Sequence, residues 1–243
     1  MPRPRITTVV FDLDDTLYDC FRQRVLEAHR YASRKLLEAG LNRHARRRLT
    51  LRSLTALRLR LFREERNLDT LDRRLLARLK VGGQVGRHLA HVGRDAYFSL
   101  PVRNLRLFPD TMPTLRRLHR LGVRIYIITA GHLRIQRAKT RILGLDRSPY
   151  VRRILYTGLT GGRGKKQRLR RLLRHEPNPR RVLVVGDRPD SEIRAARELG
   201  MWAVRRVGGE FARARPARPA ERARFHIRRV SQLFRLPFTF AGR

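Results

Sequence analysis

Cysteine and acidic residues are scarce in this chain of 243 residues, and long hydrophobic runs are absent. There is one cysteine, and 20 acidic residues face 58 basic ones, which gives a formal net charge of +38. A single cysteine excludes an internal disulfide and favours a reducing compartment, so we expect a cytoplasmic protein. No run of eighteen apolar residues occurs, so we expect no membrane-spanning segment. The apolar fraction of 41% is still sufficient for a packed core.

Lysine is also rare, because only five of the 58 basic residues are lysine and the rest are arginine. Clustered arginines can supply the salt-dependent part of binding to a polyanion such as RNA. Here the arginines are spread over nearly every predicted helix, with no single basic block and no interleaved aromatic platform. We therefore expect any contact with nucleic acid to be nonspecific. The sequence leaves the oligomeric state open.

Against this basic background, one short stretch concentrates acidic residues. The sequence VVFDLDDTLYD, residues 9–19, places four aspartates within eight positions: Asp12, Asp14, Asp15 and Asp19. Like charges this close repel one another unless a cation or protons compensate them. The stretch follows an apolar run, 6–11, that predicts a buried strand. Because open α/β sheets bind ligands at the carboxyl ends of their strands, a metal or catalytic site is the first hypothesis.

The region after this strand predicts only helices. Apolar residues recur at three- and four-residue spacing between arginines in four segments, 21–40, 46–65, 68–79 and 85–98. From residue 107 onward, strand and helix alternate instead, which is typical of a doubly wound parallel sheet. We therefore predict an α/β fold: a Rossmann-like core of residues 1–18 and 105–243, and an inserted α-helical cap of residues 19–104.

Three predicted strands end in polar side chains at one edge of this sheet. They are Asp12 with Asp14 after the first strand, Thr129 after IYII, and Asp187 after VLVVG. A helix near Gly164 opens with two lysines. Carboxylates, a hydroxyl and a lysine together suit phosphoryl transfer, in which an aspartate attacks phosphorus and a divalent cation screens the negative charges.

These motifs resemble the haloacid dehalogenase-like hydrolase superfamily, in the form that carries an α-helical C1 cap. FDLDDTLYD resembles its first motif, IYIITAG its second, the lysine of GRGKKQ its third and VVGDRPDSEI its fourth, in order along the chain. The resemblance implies Asp12 as the nucleophile and Asp14 as the general acid and base. It further implies substrate or phosphate binding by a set drawn from the first three motifs: Leu13, Thr16, Thr129, Ala130 and Lys165. Its metal would be Mg²⁺, ligated by Asp12, Asp14 (through the backbone carbonyl) and Asp187.

Two positions depart from the family's pattern. The family usually has a second aspartate four or five residues after the first, and here those positions are Ser191 and Glu192, with Asp190 one place earlier, so the second acidic residue of the fourth motif is either Asp190 or Glu192. The lysine of the third motif is Lys165 or Lys166, and we favour Lys165 because it directly follows the glycine. Asp15 and Asp19 are expected to pair with arginines or face water.

The resemblance implies a cytoplasmic Mg²⁺-dependent phosphatase that acts on a small phosphorylated metabolite. Asp14 favours a phosphatase over a dehalogenase, because dehalogenases of the family lack an aspartate there. A phosphomutase would keep this aspartate and stays an alternative, as does an RNA- or ribosome-binding protein with a vestigial site. His132 is a candidate substrate contact. His88 and His91 are interpreted as surface residues, and Cys20 as a residue without a nucleophilic role.

Overall fold

The computed structural model describes residues 3–65, 67–158 and 161–241. Within them the chain forms two compact units. The sheet unit contains the described residues up to Phe21 and from Val102 onward, and the helical unit is Arg22–Pro101. The predicted boundaries of core and cap stay a prediction. None of the helices in the described ranges is both long and apolar enough to cross a membrane.

The sheet unit is built on six parallel strands in the order β4-β3-β2-β5-β6-β7. The strands are β2 (Thr8–Asp12), β3 (Arg124–Thr129), β4 (Arg153–Tyr156), β5 (Val182–Gly186), β6 (Trp202–Arg206) and β7 (Phe225–Ile227). All residues of β2 and β5 are buried, as expected for central strands covered on both faces. The predicted α/β fold with a parallel sheet is confirmed.

The helices between these strands follow the predicted alternation. They are α6 (Thr111–Arg120), α7 (Leu133–Ile142), α8 (Gly161–Leu172) and α9 (Arg194–Glu198). The fourth predicted helix differs from expectation, because it opens with a π-helical turn, Pro189–Ile193, before α9 begins. Such turns occur mostly as single turns of α-helices, and they are frequent at functional sites. Here the turn carries both candidate acidic residues of the fourth motif.

The predicted first strand is interrupted. Residues 6–11 were expected to form one strand, but β1 (Arg5–Ile6) and β2 are separated at Thr7. The Thr7 hydroxyl donates to Glu176 Oε2 over 2.7 Å, and its amide donates to the Arg181 carbonyl over 3.0 Å. β1 pairs instead with β8 (Thr239–Phe240) in a separate two-stranded sheet.

The helical unit buries a leucine-rich core between its helices. These are α1 (Leu26–Glu38, preceded by a π-helical turn, Phe21–Val25), α2 (Leu41–His44), α3 (Leu51–Glu65), α4 (Leu68–Arg78) and α5 (Gly83–Ser99). Leu36, Leu54, Leu75 and Leu89 are among the residues of its main apolar cluster. The predicted helix 46–65 begins later than expected, at Leu51.

Candidate active site

Three strand ends bring polar side chains to one edge of the sheet. β2 ends at Asp12, its neighbour β3 ends at Thr129, and β5 on the other side is followed by Asp187. Asp12 lies opposite Ile128 in the β2–β3 register. Parallel neighbours end at the same edge, so these side chains converge, and all three are buried.

The buried carboxylates form one cluster. Asp12, Asp187 and Glu192 each offer a carboxylate oxygen, and these oxygens all lie within 4.8 Å of one another. Asp190, the other candidate of the fourth motif, is about half exposed and pairs with Arg188 over 3.0 Å. The structure therefore brings Glu192, and not Asp190, to Asp12 and Asp187.

Local backbone structure explains the position of Glu192. Its Oε1 accepts a hydrogen bond from the backbone N–H of Arg188 over 2.6 Å, across the π-helical turn. Its methylenes pack on Gly186, where a Cβ atom would overlap Glu192 Cγ. The glycine of the fourth motif is thus required for the close approach of this side chain.

Lys165 is the lysine that reaches the cluster. Its Nζ lies 2.5 Å from Asp12 Oδ1 and 2.7 Å from Glu192 Oε2, and the side chain is buried. Lys166 points elsewhere and pairs with Glu198 over 2.6 Å at the surface. The placement agrees with the preference for Lys165, although its role in binding phosphate stays a prediction.

The charges in the cluster do not balance. Burial raises the pKa of Asp12 to about 7; Lys165 opposes this shift and Glu192 adds to it. Burial, with the nearby charges of Glu192 and Asp12, raises the pKa of Asp187 well above its usual range. The Lys165 ammonium contacts Asp12 and Glu192, and the charge of Arg205 acts on Asp187 and Glu192. The pKa values of Asp12 and Asp187 stay raised despite these cations, so the site favours further positive charge.

The donor set fits a divalent cation of the magnesium type. All three clustered groups are carboxylates, and oxygen ligands are those that Mg²⁺ and Ca²⁺ prefer. The predicted ligands Asp12 and Asp187 belong to the cluster, and Glu192 is a third candidate. Ligation by the Asp14 backbone carbonyl stays a prediction.

The Asp14 side chain turns away from this cluster toward α7. Both its oxygens accept from Lys139 Nζ, at 2.9 and 2.8 Å, and Oδ2 also accepts from Gln136 Nε2 at 3.0 Å. The Tyr18 hydroxyl donates to Oδ1 over 2.8 Å. Burial opposes ionisation, but the charge of Lys139 together with these hydrogen bonds lowers the pKa of Asp14 below its usual value.

Gln136 and Lys139 are the site residues that the sequence analysis missed. They are buried and three positions apart on α7, which starts just after the second motif. The sequence contains one feature that could have indicated Lys139, because it is one of only five lysines in an arginine-rich chain. Lysine at an inward position of an amphipathic helix is rarely buried without a partner.

Similarity to known proteins identifies the family of this chain. Residues 6–200 match the family described as haloacid dehalogenase-like hydrolase. The chain belongs to this family. A glyceraldehyde 3-phosphate phosphatase of Methanopyrus kandleri is 28% identical over 94% of this chain and 95% of its own length. One from Methanocaldococcus jannaschii is 30% identical over 85% of this chain and 87% of its own length.

Among solved structures, YfnB from Bacillus subtilis, with bound magnesium, shares the fold at a TM-score of 0.63. It is 21% identical, and the match covers 95% of this chain and 98% of YfnB. The family and the predicted enzyme class, a haloacid dehalogenase-like phosphoric monoester hydrolase, are confirmed by these matches.

The remaining first-motif residues of this hydrolase shape the turn after β2. Leu13 and Thr16 are fully buried, and the amides of Thr16 and Leu17 donate to the Leu13 carbonyl over 3.3 and 3.0 Å. In the second motif, the Ala130 carbonyl accepts from Gln136 Nε2 over 2.7 Å. Their contacts with phosphate stay predictions.

Asp15 differs from expectation. It was expected to pair with an arginine or face water, but it is buried, with a left-handed φ of 55°. Its carboxylate accepts from the backbone amides of Phe21 at 3.0 Å and Glu210 at 3.1 Å. The Arg206 side chain donates to the Asp15 backbone carbonyl over 2.6 Å, and not to the carboxylate. Asp15 therefore secures the turn and stays outside the described carboxylate cluster.

The histidines and the cysteine considered from the sequence lie outside the carboxylate cluster. His88 and His91 are exposed on α5, and His132 precedes the first residue of α7. Burial raises the pKa of the Cys20 thiol well above its usual value. A protonated thiol is a poor nucleophile, so this supports the assignment of no nucleophilic role to Cys20.

Proposed function

We propose that this hydrolase is a Mg²⁺-dependent phosphatase that acts on a small phosphorylated metabolite through an aspartyl-phosphate on Asp12. The observation that carries the proposal is the convergence of Asp12, Asp187, Glu192 and Lys165 at the carboxyl edge of the sheet. A nucleophilic carboxylate, an ammonium group and carboxylates that could hold a divalent cation, all in one buried place, suit phosphoryl transfer.

In the first half-reaction, an Asp12 carboxylate oxygen attacks phosphorus. The bond between phosphorus and the leaving alcohol oxygen breaks, and that oxygen takes a proton from Asp14. Asp14 takes up this proton when the negatively charged phosphate group binds beside it and raises its pKa. Lys165 and the Thr129 hydroxyl stabilise the phosphoryl oxygens as their charge shifts. Asp14 keeps about 30% of its side chain exposed, so a leaving oxygen can reach it.

In the second half-reaction, Asp14 acts as a base. It takes a proton from water, the water oxygen attacks phosphorus, and the bond from phosphorus to the Asp12 oxygen breaks. Inorganic phosphate leaves, and Asp12 returns to a carboxylate. Asp14 gives one proton to the alcohol and takes another from water, so it ends each cycle protonated, as it began. The same residue therefore serves both steps.

Asp12, Asp187 and Glu192 would hold Mg²⁺, together with the Asp14 carbonyl. When bound, the ion supplies positive charge that neutralises the phosphoryl group and the carboxylates. Removal of metal with EDTA should abolish phosphate release, and Mg²⁺ should restore it. Asp187→Ala should raise the Mg²⁺ concentration needed for half-maximal rate far more than Asp19→Ala does. Equal effects of the two substitutions would mean that the metal is placed wrongly.

Glyceraldehyde 3-phosphate is our first choice of substrate, because two relatives that match over most of their length are named as its phosphatases. A panel of phosphorylated trioses, sugars, nucleotides and glycolate, assayed for released phosphate, tests this choice. A phosphomutase would instead yield an isomeric phosphate ester without inorganic phosphate. No phosphate release from any compound with Mg²⁺ present would contradict the proposed function. We place the enzyme in the cytoplasm, a proposal supported by its single cysteine.

A further inference from the structure

We propose that Gln136 and Lys139 are positioning residues for this reaction. Gln136 sets the direction of the Thr129 hydroxyl, and Lys139 holds the Asp14 carboxylate at the strand edge. The inference rests on the proposed function, because it assigns these two side chains a part in phosphate binding and leaving-group departure. Neither residue was expected from the sequence motifs.

Both residues lie on one face of α7. They are separated by three positions, so their side chains stack on the same side of the helix. Each is at least nine-tenths buried and makes polar contacts with residues at the ends of β2 and β3. One helix thereby ties together the first and second motifs, which come from neighbouring strands.

The Gln136 amide determines whether the Thr129 hydroxyl donates or accepts in the hydrogen bond between them. Nε2 donates to Thr129 Oγ1 over 2.6 Å, and it also faces Asp14 Oδ2 at 3.0 Å and the Ala130 carbonyl at 2.7 Å. The carboxylate and the carbonyl are pure acceptors, so the group facing them must be the donating NH₂. Thr129 Oγ1 therefore accepts from Gln136, and its own hydrogen is left to donate.

Among the residues that the structure describes, the Thr129 hydroxyl accepts from Gln136 and donates to none. The proposed function needs this hydroxyl to donate to a phosphoryl oxygen. Gln136 thus fixes the hydroxyl as a donor before the substrate arrives, which is the kind of preorganisation that makes electrostatic stabilisation effective.

Lys139 acts on Asp14. Its ammonium contacts both carboxylate oxygens, and the buried stem of the side chain gives the pair a fixed place. Charge-assisted hydrogen bonds of this kind are about twice as strong as neutral ones. The pair directs the Asp14 carboxylate away from the cluster of Asp12 and Asp187, and keeps it on the side from which a leaving oxygen can be protonated.

A buried ion pair with a purely structural role would lower the amount of folded protein and affect all substrates equally. A positioning role affects only the steps that need Asp14 or Thr129. The two interpretations separate when one variant is assayed with two substrates, because the ratio of the two rates does not depend on the fraction of folded enzyme.

The experiment compares Lys139→Met and Gln136→Met with Arg141→Met, an exposed residue in the last turn of α7. The substrates are an alkyl phosphate, whose alkoxide needs a proton to leave, and p-nitrophenyl phosphate, whose phenolate does not. Lys139→Met should lower kcat/KM for the alkyl phosphate about 10- to 100-fold and kcat/KM for the aryl phosphate less than about 3-fold, because kcat/KM reports the first half-reaction, in which only the alkoxide needs a proton. The value of kcat should fall for both substrates, because Asp14 also activates water in the second half-reaction. Lys139→Arg should recover part of the loss.

Gln136→Met should instead weaken phosphate binding. We expect KM for both substrates and the inhibition constant of inorganic phosphate to rise about 10-fold, because the Thr129 hydroxyl loses its fixed direction. Arg141→Met should match the wild type. Thermal unfolding followed by circular dichroism reports the folded fraction of each variant.

An equal loss of kcat/KM on both substrates for Lys139→Met, or rates like those of Arg141→Met, would overturn the assignment of Lys139. An unchanged phosphate inhibition constant would overturn that of Gln136. In both cases an active wild type leaves the proposed function in place. A wild type that hydrolyses neither substrate nor any compound of the panel contradicts the proposed function, and the inference with it.

Discussion

Both units of this protein bury charged side chains, but they do so differently. In the sheet unit, the buried carboxylates Asp12, Asp187 and Glu192 lie in one cluster, and the Lys165 ammonium contacts two of them, Asp12 and Glu192. In the helical unit, a buried arginine, Arg58 on α3, pairs one-to-one with Asp72 on α4. The cluster in the sheet unit has more carboxylates than contacting ammonium groups, whereas the ion pair in the helical unit is neutral.

The surroundings of the two groups differ as well. Asp12 and Asp187 stand at the ends of parallel strands, the edge at which open α/β sheets bind their ligands. The pair of the helical unit is packed among helices instead, and a Cβ on Gly93 would lie 2.6 Å from Asp72 Oδ1. A buried ion pair is therefore weak evidence for a site. An unbalanced charge at a strand edge is stronger evidence.

The largest effect should come from the ammonium of the sheet unit. Lys165→Met should reduce kcat/KM about 10²- to 10³-fold, because it removes a buried cation that contacts Asp12 and that we propose to bind the phosphoryl oxygens. Lys166→Met is the matched control, since Lys166 pairs with Glu198 at the surface. Phosphate-release kinetics with saturating Mg²⁺ measure both. Equal losses would show that the buried position of Lys165 has no catalytic consequence.

In the helical unit, breaking the balanced pair should affect stability. Asp72→Ala leaves the Arg58 guanidinium buried without its partner, which should cost about 3–5 kcal/mol of unfolding free energy. The double variant Arg58→Met, Asp72→Leu should recover most of this loss, because no uncompensated charge remains. Urea denaturation followed by circular dichroism measures both.

An exposed pair in the same unit, Arg94 with Asp69, provides the control. Asp69→Ala should cost less than about 1 kcal/mol, as is usual for surface pairs. A double variant at Arg58 and Asp72 that stays as unstable as Asp72→Ala would contradict the structural interpretation of the buried pair.

A smaller effect, on pH dependence, is expected from His29. Burial, with the charges of Arg58 and Arg63, lowers its pKa from 6.5 to about 3. The folded chain therefore keeps His29 neutral, whereas the unfolded chain takes up a proton below about pH 6.5. This contribution to stability is complete above the unfolded pKa and is lost as the pH falls toward 3.

Between pH 7 and pH 5, His29 should therefore lower the unfolding free energy by about 2 kcal/mol. His29→Gln should remove this component of the pH dependence, and the exposed His88→Gln should retain it. Urea denaturation at the two pH values measures the difference. The same slope in all three proteins would contradict the assignment of a buried neutral histidine.

The sequence predicted the parts of the molecule that depend on local pattern. Apolar runs that end in Asp12, Thr129 and Asp187 identified three strands and the edge at which they meet. Lys165 was favoured from its place after a glycine. The two-residue strands β1 and β8 were missed, because two residues are too few to show a period.

The rest depends on tertiary geometry. The choice between Asp190 and Glu192 follows from the π-helical turn and from the space beside Gly186, neither of which has a sequence signature here. In the sequence, Gln136 and Lys139 look like other polar residues of an amphipathic helix. Their role is apparent only from the packing of α7 beside β2 and β3, which brings both side chains to Asp14. The sequence contains no motif from which to predict the substrate.

The most direct test of the central claim, nucleophilic attack by Asp12, is to trap the covalent intermediate. A single turnover of Asp14→Asn, whose intermediate should break down slowly, is quenched and treated with borohydride, which reduces an aspartyl-phosphate to homoserine. Mass spectrometry then examines the tryptic peptide of residues 6–22. We predict homoserine at position 12 in an amount that matches the alcohol released, and no phosphate release by Asp12→Asn. An unmodified Asp12 after a full turnover, or continued phosphate release by Asp12→Asn, would contradict the account.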